Sequence, residues 1–291
     1  MSGEGFAALH RAPHAPLVLP NAWDHASAWA LAEQGFTAIG TTSLGVAAAA
    51  GLPDGAGTEG AREETVRLVR RLQKAPFAVS VDIEGGFSDD PAAVADLARE
   101  LSEAGAVGIN LEDGLGPPTA HAEKIAAVKD AAPGLFVNAR TDTHWLPLPG
   151  LAEEQRLDEA LDRLAGYRRA GADGAFVPGV SRPADIARLV AALAAFDVPL
   201  NVLHTPALPP LSELASLGVG RVSLGSLLFR RALGAAVEAA VAVRGERPVT
   251  GYVPSYEDVA ALQQGVAVDQ GRQQHGDEGD DERGAVSVEG G

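Results

Sequence analysis

Phe77-Ala-Val-Ser-Val-Asp-Ile-Glu84 is an apolar run that turns charged only at its C-terminal end, and a segment with helical patterning follows it. Gly108-Ile-Asn-Leu-Glu-Asp113 and Leu135-Phe-Val-Asn-Ala-Arg-Thr-Asp142 repeat the design. Alternate side chains of a strand share a face. Ala78, Ser80, Asp82 and Glu84 therefore oppose Phe77, Val79, Val81 and Ile83. In the same way Asn110 and Glu112 oppose Ile109 and Leu111, while Asn138, Arg140 and Asp142 oppose Val137, Ala139 and Thr141. Large apolar residues face one layer, and small or charged residues face the other. A closed parallel barrel needs that division, and its reactive groups belong at the C-terminal strand ends.

Working outward, Leu17-Val-Leu-Pro20 reads as a first strand and Asn21-Ala-Trp-Asp24 leads into a helix over 26–34, which Gly35 ends. Thr37–Thr42 is a second strand. Ser43–Gly60 reads as a Gly- and Ala-rich loop, longer than usual between a strand and its helix, as functional lids or disordered segments are. A helix over 61–73 precedes the stretch quoted first. The helix over 91–104 puts Val94, Leu97, Ala98 and Leu101 on one face. Later helices are expected over 120–131, 153–170, 183–195, 211–217 and 226–243, with strands over 174–178, 199–203 and 221–225. Eight strand–helix pairs predict an α/β fold, a (β/α)8 TIM barrel over residues 1–250. The competing doubly wound sheet would carry a glycine-rich phosphate turn after an early strand, and none is present. Residues 251–264 read as a C-terminal helical segment. Residues 265–291, with seven Gly and no aromatic side chain, read as a disordered acidic tail.

The 291 residues are 46% hydrophobic, with mean hydropathy of +0.04, enough to bury one large core. No uncharged apolar run is long enough to span a membrane, and the N-terminus lacks a basic region followed by an apolar core, which argues against a secretory signal. Without cysteine there is no disulfide framework, thiolate metal site or cysteine nucleophile. The net charge of −16 argues against a nucleic-acid partner. The tail holds seven acidic residues against two basic ones, a net of −5, which leaves −11 for residues 1–264. A cytoplasmic enzyme acting on a small molecule, with no membrane partner, fits these properties.

Asp82, Glu84 and Glu112 are expected on adjacent strands at one barrel mouth. Three packed carboxylates repel one another, and burying them unpaired costs several kcal/mol or forces protonation. A hard divalent cation removes the conflict: Mg²⁺, or Mn²⁺ in its place, takes oxygen ligands and keeps some water. The competing reading is a salt-bridge network with Arg140 and Lys124. Arg140 fits both, and in the first it stabilises an anionic oxygen opposite the metal. Thr42, Ser43 and Leu44 follow the second strand, where amides and hydroxyls can receive a substrate carboxylate. Asp54, between Pro53 and Gly55, is a base, a gate or a plain turn residue. Asn201 is a ligand contact or a buried amide satisfied by neighbours. His121, His144 and His204 all follow strands without metal-ligand spacing, and His121 is a candidate acid or an exposed loop histidine. Trp23 and Trp29 read as packing residues and Trp145 as one that could line a mouth.

Taken together, these motifs resemble the isocitrate lyase/phosphoenolpyruvate mutase superfamily. The resemblance runs from Leu17–Asp24 to Val222-Ser-Leu-Gly225. It rests on Thr42-Ser-Leu44, Asp54, Val81-Asp-Ile-Glu-Gly-Gly86, Ile109-Asn-Leu-Glu-Asp113, Asn138-Ala-Arg-Thr-Asp142 and Pro199-Leu-Asn201. It implies that Asp82, Glu84 and Glu112 hold Mg²⁺ directly or through water, that Arg140 supports an enolate-like oxygen, and that amides around Ser43-Leu44 hold a 2-oxo acid carboxylate. Asp54 would lie on a gating loop. It also implies a homo-oligomer, a dimer or tetramer that exchanges its last barrel helix, here 226–243. Departures narrow the chemistry. Isocitrate and methylisocitrate lyases carry a Lys-Lys-Cys-Gly-His loop after the fourth strand, and phosphoenolpyruvate mutase and phosphonopyruvate hydrolase use Lys and Asn there. This chain has Gly114-Leu-Gly-Pro-Pro-Thr-Ala-His121 instead. The metal strand also reads Asp-x-Glu where many members have Asp-x-Asp. The expectation is a Mg²⁺-dependent lyase or hydrolase that cleaves a C–C bond next to a 2-oxo or 2-hydroxy carboxylate through an enolate, with Arg140, Asp54 and Glu112 catalytic. The alternatives are a C–P bond enzyme and a 2-oxo acid binding barrel without turnover.

Overall fold

The computed structural model describes residues 2–12, 15–55, 57–148 and 150–262. Nine parallel strand segments form one sheet: β1 (Leu17–Leu19), β2 (Asn21–Ala22), β3 (Ala38–Thr41), β4 (Ala78–Asp82), β5 (Gly108–Glu112), β6 (Phe136–Arg140), β7 (Gly174–Phe176), β8 (Leu200–Leu203) and β9 (Arg221–Ser223). Their order is β1-β9-β8-β7-β6-β5-β4-β3-β2. The two ends of that order are consecutive in sequence and separated by Pro20 alone. Proline has no N–H to give to a ladder, so the first strand is recorded as two halves. Its carbonyl still accepts from Gly40 N at 2.8 Å, and the sheet curls into a nearly closed barrel of eight strands, the first one broken. Asn21 fastens this seam. Its Oδ1 accepts from Leu224 N at 3.0 Å and Gly225 N at 2.8 Å, and its Nδ2 donates to Thr41 O at 2.7 Å.

The helices are α1 (Gly3–Leu9), α2 (His25–Glu33), α3 (Ser43–Ala49), α4 (Glu59–Leu72), α5 (Pro91–Glu103), α6 (Pro118–Ala131), α7 (Glu153–Arg169), α8 (Pro183–Ala194), α9 (Leu211–Leu217), α10 (Leu227–Arg244) and α11 (Tyr256–Leu262). Local chemistry sets their starts. Asp24 and Ser27 form a reciprocal capping box on α2, Thr58 accepts from Ala61 N on α4, and Asp90 caps α5 ahead of Pro91. The strand residues that face outward, Val79, Val81, Ile83, Ile109, Leu111 and Val137, share one buried cluster with Val94, Leu97, Leu101, Ile125 and Val128 of the helices. This is the layer that the alternation predicts.

Two segments differ from expectation. Residues 3–9, read as a leader, form α1, whose fully buried Phe6 packs with Leu19, Ala38, Ala78 and Phe136 in a separate cluster. A single aromatic in a Gly-rich stretch has no periodicity to announce a helix. The loop expected over 43–60 begins as α3, because Ser43 to Ala49 contain five helix-compatible apolar residues after the extended Thr42. The disordered tail proposed for 265–291 lies outside the described residues. Among the described residues no helix is long and apolar enough to cross a membrane.

Candidate active site

The C-terminal ends of β3 to β6 bring together Thr42, Ser43, Asp82, Glu84, Glu112 and Arg140. Thr41, one residue before the expected contact, pins the edge: its Oγ1 accepts from Asp82 N at 2.9 Å. Asp82 Oδ2 in turn accepts from Ser43 N at 3.4 Å. Thr42 is buried and Leu44 half-buried at the start of α3.

Glu84 reaches the mouth by a different route from the one alternation suggests. β4 ends at Asp82, and Glu84 adopts a left-handed φ of 51°, which is uncommon for a residue with a side chain. Its backbone carbonyl accepts from Glu112 N at 3.0 Å, and its Oε2 accepts from Gly57 N at 3.1 Å. Oε1 is buried without a hydrogen-bond partner. The long loop thus folds over Glu84 through Gly57, and Asp54 on the same loop lies close enough to act electrostatically on Asp82 and Glu84.

Arg140 is clamped from two sides. Nη1 lies 2.7 Å from Glu112 Oε2, Nε donates to Asp142 Oδ1 at 2.7 Å, and the guanidinium carbon stands 5.7 Å from the Phe176 ring centroid. Asp142 was present in the motif but absent from the expected site. So was Asp113, whose buried carboxylate accepts from Tyr167 Oη at 2.7 Å, Leu115 N at 2.9 Å, Arg163 Nη1 at 3.0 Å and Asp142 N at 3.2 Å. It ties the ends of β5 and β6 to α7. Both acids lie inside quoted motifs, whereas nothing local marks Arg163 and Tyr167 as their partners.

Burial raises the pKa of Asp82, Glu84, Glu112 and Asp142. Glu112 stands at about 8, because desolvation and the neighbouring charges of Asp82, Asp142 and Glu84 outweigh Arg140. Asp113 is the opposite case: burial would raise it, but its hydrogen-bond donors prevail and lower it. Burial lowers His121 to about 4, so its ring is neutral near pH 7. His121 is 4% exposed, edge-on to Tyr167 with centroids 4.5 Å apart, and the exposed-loop reading of this residue does not hold. Trp145 is 51% exposed.

Beneath the mouth the barrel interior is polar. Asn201 is 1% exposed and its amide pairs with the Ser223 hydroxyl at 3.1 and 3.2 Å. Asn138 Nδ2 donates to Asn110 Oδ1 at 2.9 Å, and Arg221 reaches both Ser223 Oγ at 2.9 Å and Asn110 Oδ1 at 3.3 Å.

Among the described residues, no three His, Asp or Glu side chains converge as a ready metal cage, since Glu112 is turned to Arg140 and Glu84 to Gly57. The donor set still suits a hard divalent cation. All three acids offer oxygen, burial penalises the charge on each, and Glu84 Oε1 is orphaned. Mg²⁺ is commonly held by only one or two carboxylates with water completing its shell, so a cage of three is not required.

A family model described as phosphoenolpyruvate phosphomutase matches residues 6–244. The chain belongs to this family. The resemblance to the phosphoenolpyruvate mutase/isocitrate lyase superfamily therefore holds, barrel included. Among relatives of the phosphoenolpyruvate phosphomutase family member described here, an uncharacterized protein of Mycobacterium tuberculosis (strain ATCC 25618 / H37Rv) is 43% identical over 251 residues, 85% of this chain and 92% of the relative. The 2-methylisocitrate lyase of Bacillus subtilis (strain 168) is 34% identical over 173 residues, 55% of this chain and 54% of that enzyme. A solved structure from Burkholderia cenocepacia J2315, provisionally described as a phosphonomutase, superposes with a TM-score of 0.74 at 37% identity, covering 81% of this chain and 97% of that one.

Proposed function

We propose that this protein is a divalent-metal-dependent lyase or hydrolase that cleaves a C–C bond next to a 2-oxo or 2-hydroxy carboxylate. The observation that carries this reading is Arg140, buried and clamped by Glu112 and Asp142 beside three carboxylates whose ionisation burial disfavours. Asp82, Glu84 and Glu112 would hold the cation, Mg²⁺ or Mn²⁺, directly or through water. When bound it supplies a Lewis acid for the oxygens of the substrate. Amides of Ser43 and Leu44, with Thr42 beneath them, receive the carboxylate. The fixed guanidinium of Arg140 faces the oxygen that gains charge as the bond breaks, and its clamps spare it reorganisation at that moment. Asp54 and the loop through Gly57 cover the site and exclude water. Asn201 supports the site from below through Ser223.

The test is a panel of oxaloacetate, dimethylmalate, methylisocitrate, isocitrate and phosphonopyruvate with Mg²⁺, following release of pyruvate or glyoxylate. Release from a C–C substrate that disappears in Glu112→Gln is the expected result, and release that survives Glu112→Gln sinks the reading. Turnover of phosphonopyruvate alone would favour the second reading, a C–P bond enzyme, to which the provisionally described Burkholderia relative lends support. Against it, the turn Gly114-Leu-Gly-Pro117 supplies neither Lys nor Asn. Binding of these acids without any product would leave the barrel a binder.

We further propose a homo-oligomer in which α10 packs on a neighbouring copy. Leu233, Val237 and Val241 recur every four residues on α10 and are 53%, 63% and 39% exposed, an apolar stripe that a lone subunit leaves to water. Val237→Glu is expected to shift the assembly toward monomer in light scattering after size exclusion. A wild-type monomer would refute the exchange.

A further inference from the structure

The turns after β4 and β5 and the start of α6 enclose a cleft of about 650 Å³. Glu84 and Glu112 line one side of it, and Lys124, His121 and Ala120 line the other. No residue of the family motifs supplies that second side, and the proposed reaction leaves it without a task. Lys124 is built in rather than loose. Its side chain is 12% exposed, Nζ donates to Gly85 O at 2.9 Å, and its nearest acid, Asp89, is 3.8 Å away and fully solvated. Gly85 follows Glu84, and a Cβ placed on it would stand 3.7 Å from Glu112 O. The ammonium is therefore anchored against the backbone that carries both acids.

Two further observations point to a ligand. α6 runs for 14 residues with Pro117 at its N-cap and Pro118 behind it, and no side chain caps its first turn. The amides of Thr119 and Ala120 thus begin the helix without intrahelical partners, at its positive end. His121 lines the same cleft, is 4% exposed, and its Nε2 is buried without a partner. A fixed cation, a free helix start and an orphaned ring nitrogen on one wall form a receptor for an oxyanion. Of the acids near it, Asp113 is consumed by Arg163 and Tyr167, and Glu84 and Glu112 belong to the opposite wall.

We propose that this wall is a subsite for a second carboxylate of the substrate, held by Lys124 and His121 at the start of α6. It rests on the function proposed above and selects, within that reading, acids that carry a carboxylate at each end. A planar carboxylate with one charge matches one lysine, whereas a phosphonate dianion would ask for more cations.

Calorimetry on the full chain, with and without Mg²⁺, tests it with three probes: oxalate, L-malate and 2-hydroxybutyrate. Oxalate reports the metal side alone. L-malate and 2-hydroxybutyrate differ at the far end, where a carboxylate replaces a methyl group. The wild type should prefer malate by at least about tenfold, the order expected for one charge-assisted hydrogen bond. In Lys124→Met that preference should fall below about threefold, in His121→Gln it should fall in part, and Lys124→Arg should keep most of it. Each variant is checked for an unaltered melt, and the wild-type comparison stands without them. Equal affinity for the two acids, or no detectable malate binding, overturns the subsite. Failure of oxalate to respond to Mg²⁺ overturns the metal reading alone. Tighter binding of phosphonopyruvate than of malate would overturn the carboxylate assignment.

Discussion

Replacing Arg140 with lysine is expected to lower kcat/KM by about 10²–10³-fold, the loss that follows removal of one preorganised oxyanion donor. The guanidinium spends Nε on Asp142 and Nη1 on Glu112, both at 2.7 Å, and still presents the rest of its fork to the mouth. Lysine brings the same charge as a single point on a flexible stem, and it cannot hold two carboxylates and face a third oxygen at once. The loss should fall mainly on kcat, because the charge it answers develops during bond breaking. Arg140→Gln should also destabilise the fold, since it leaves the nearly buried Asp142 carboxylate unpaired. Steady-state kinetics on the substrate found in the panel, alongside thermal melts, separates these effects. Activity within about threefold of wild type for Arg140→Lys would remove Arg140 from the chemistry.

A comparably large effect is expected from the divalent cation, and its sign reverses with pH. Metal-free protein carries Glu112 at about 8, against an ordinary value of 4.5, chiefly through burial, and Asp82 and Glu84 are raised as well. A carboxyl with a raised folded pKa contributes stability that is full below its unfolded pKa and is lost as pH rises through the folded one. Metal-free protein should therefore lose stability between pH 4.5 and about 8. Cation binding needs the ionised acids, so its stabilisation grows across the same window, reaching about 2.7 kcal/mol at roughly a hundredfold excess over Kd. Melts in EDTA and in Mg²⁺ should diverge as pH rises, and Asp82→Asn should erase the divergence. Identical melts near pH 9, above the titration range of the site, would mean that these acids hold no metal.

Much of this was legible because strand chemistry is periodic. The apolar halves of 77–84, 108–113 and 135–142 place the helical layer, and the polar residues that close them place the mouth. What alternation could not reveal is what happens where the strand stops. Glu84 arrives through a left-handed turn, and Asp142 reaches Arg140 from beyond β6. The network of Asp113, Arg163 and Tyr167 spans about fifty residues of sequence and depends on how α7 lies on the barrel, which no local pattern encodes. The motif resemblance brought the right acids together, but it did not indicate that Glu112 and Glu84 are turned to Arg140 and Gly57 in the absence of a ligand.

The break at Pro20 bears on how the chain is made. Ladder pairing between Leu17 and Arg221 joins the two ends of the barrel, so during synthesis the first strand emerges long before its partner exists. β2 can pair with β3 almost at once, while β1 must wait with an open edge until nearly the whole barrel has been translated. Pro20 divides the early half from the late half, and its missing N–H leaves one fewer donor on the waiting edge for a passing chain to capture. Closure of the barrel is then the last topological event, and Asn21, which clasps Leu224 and Gly225 only when β9 arrives, is the latch that records its completion.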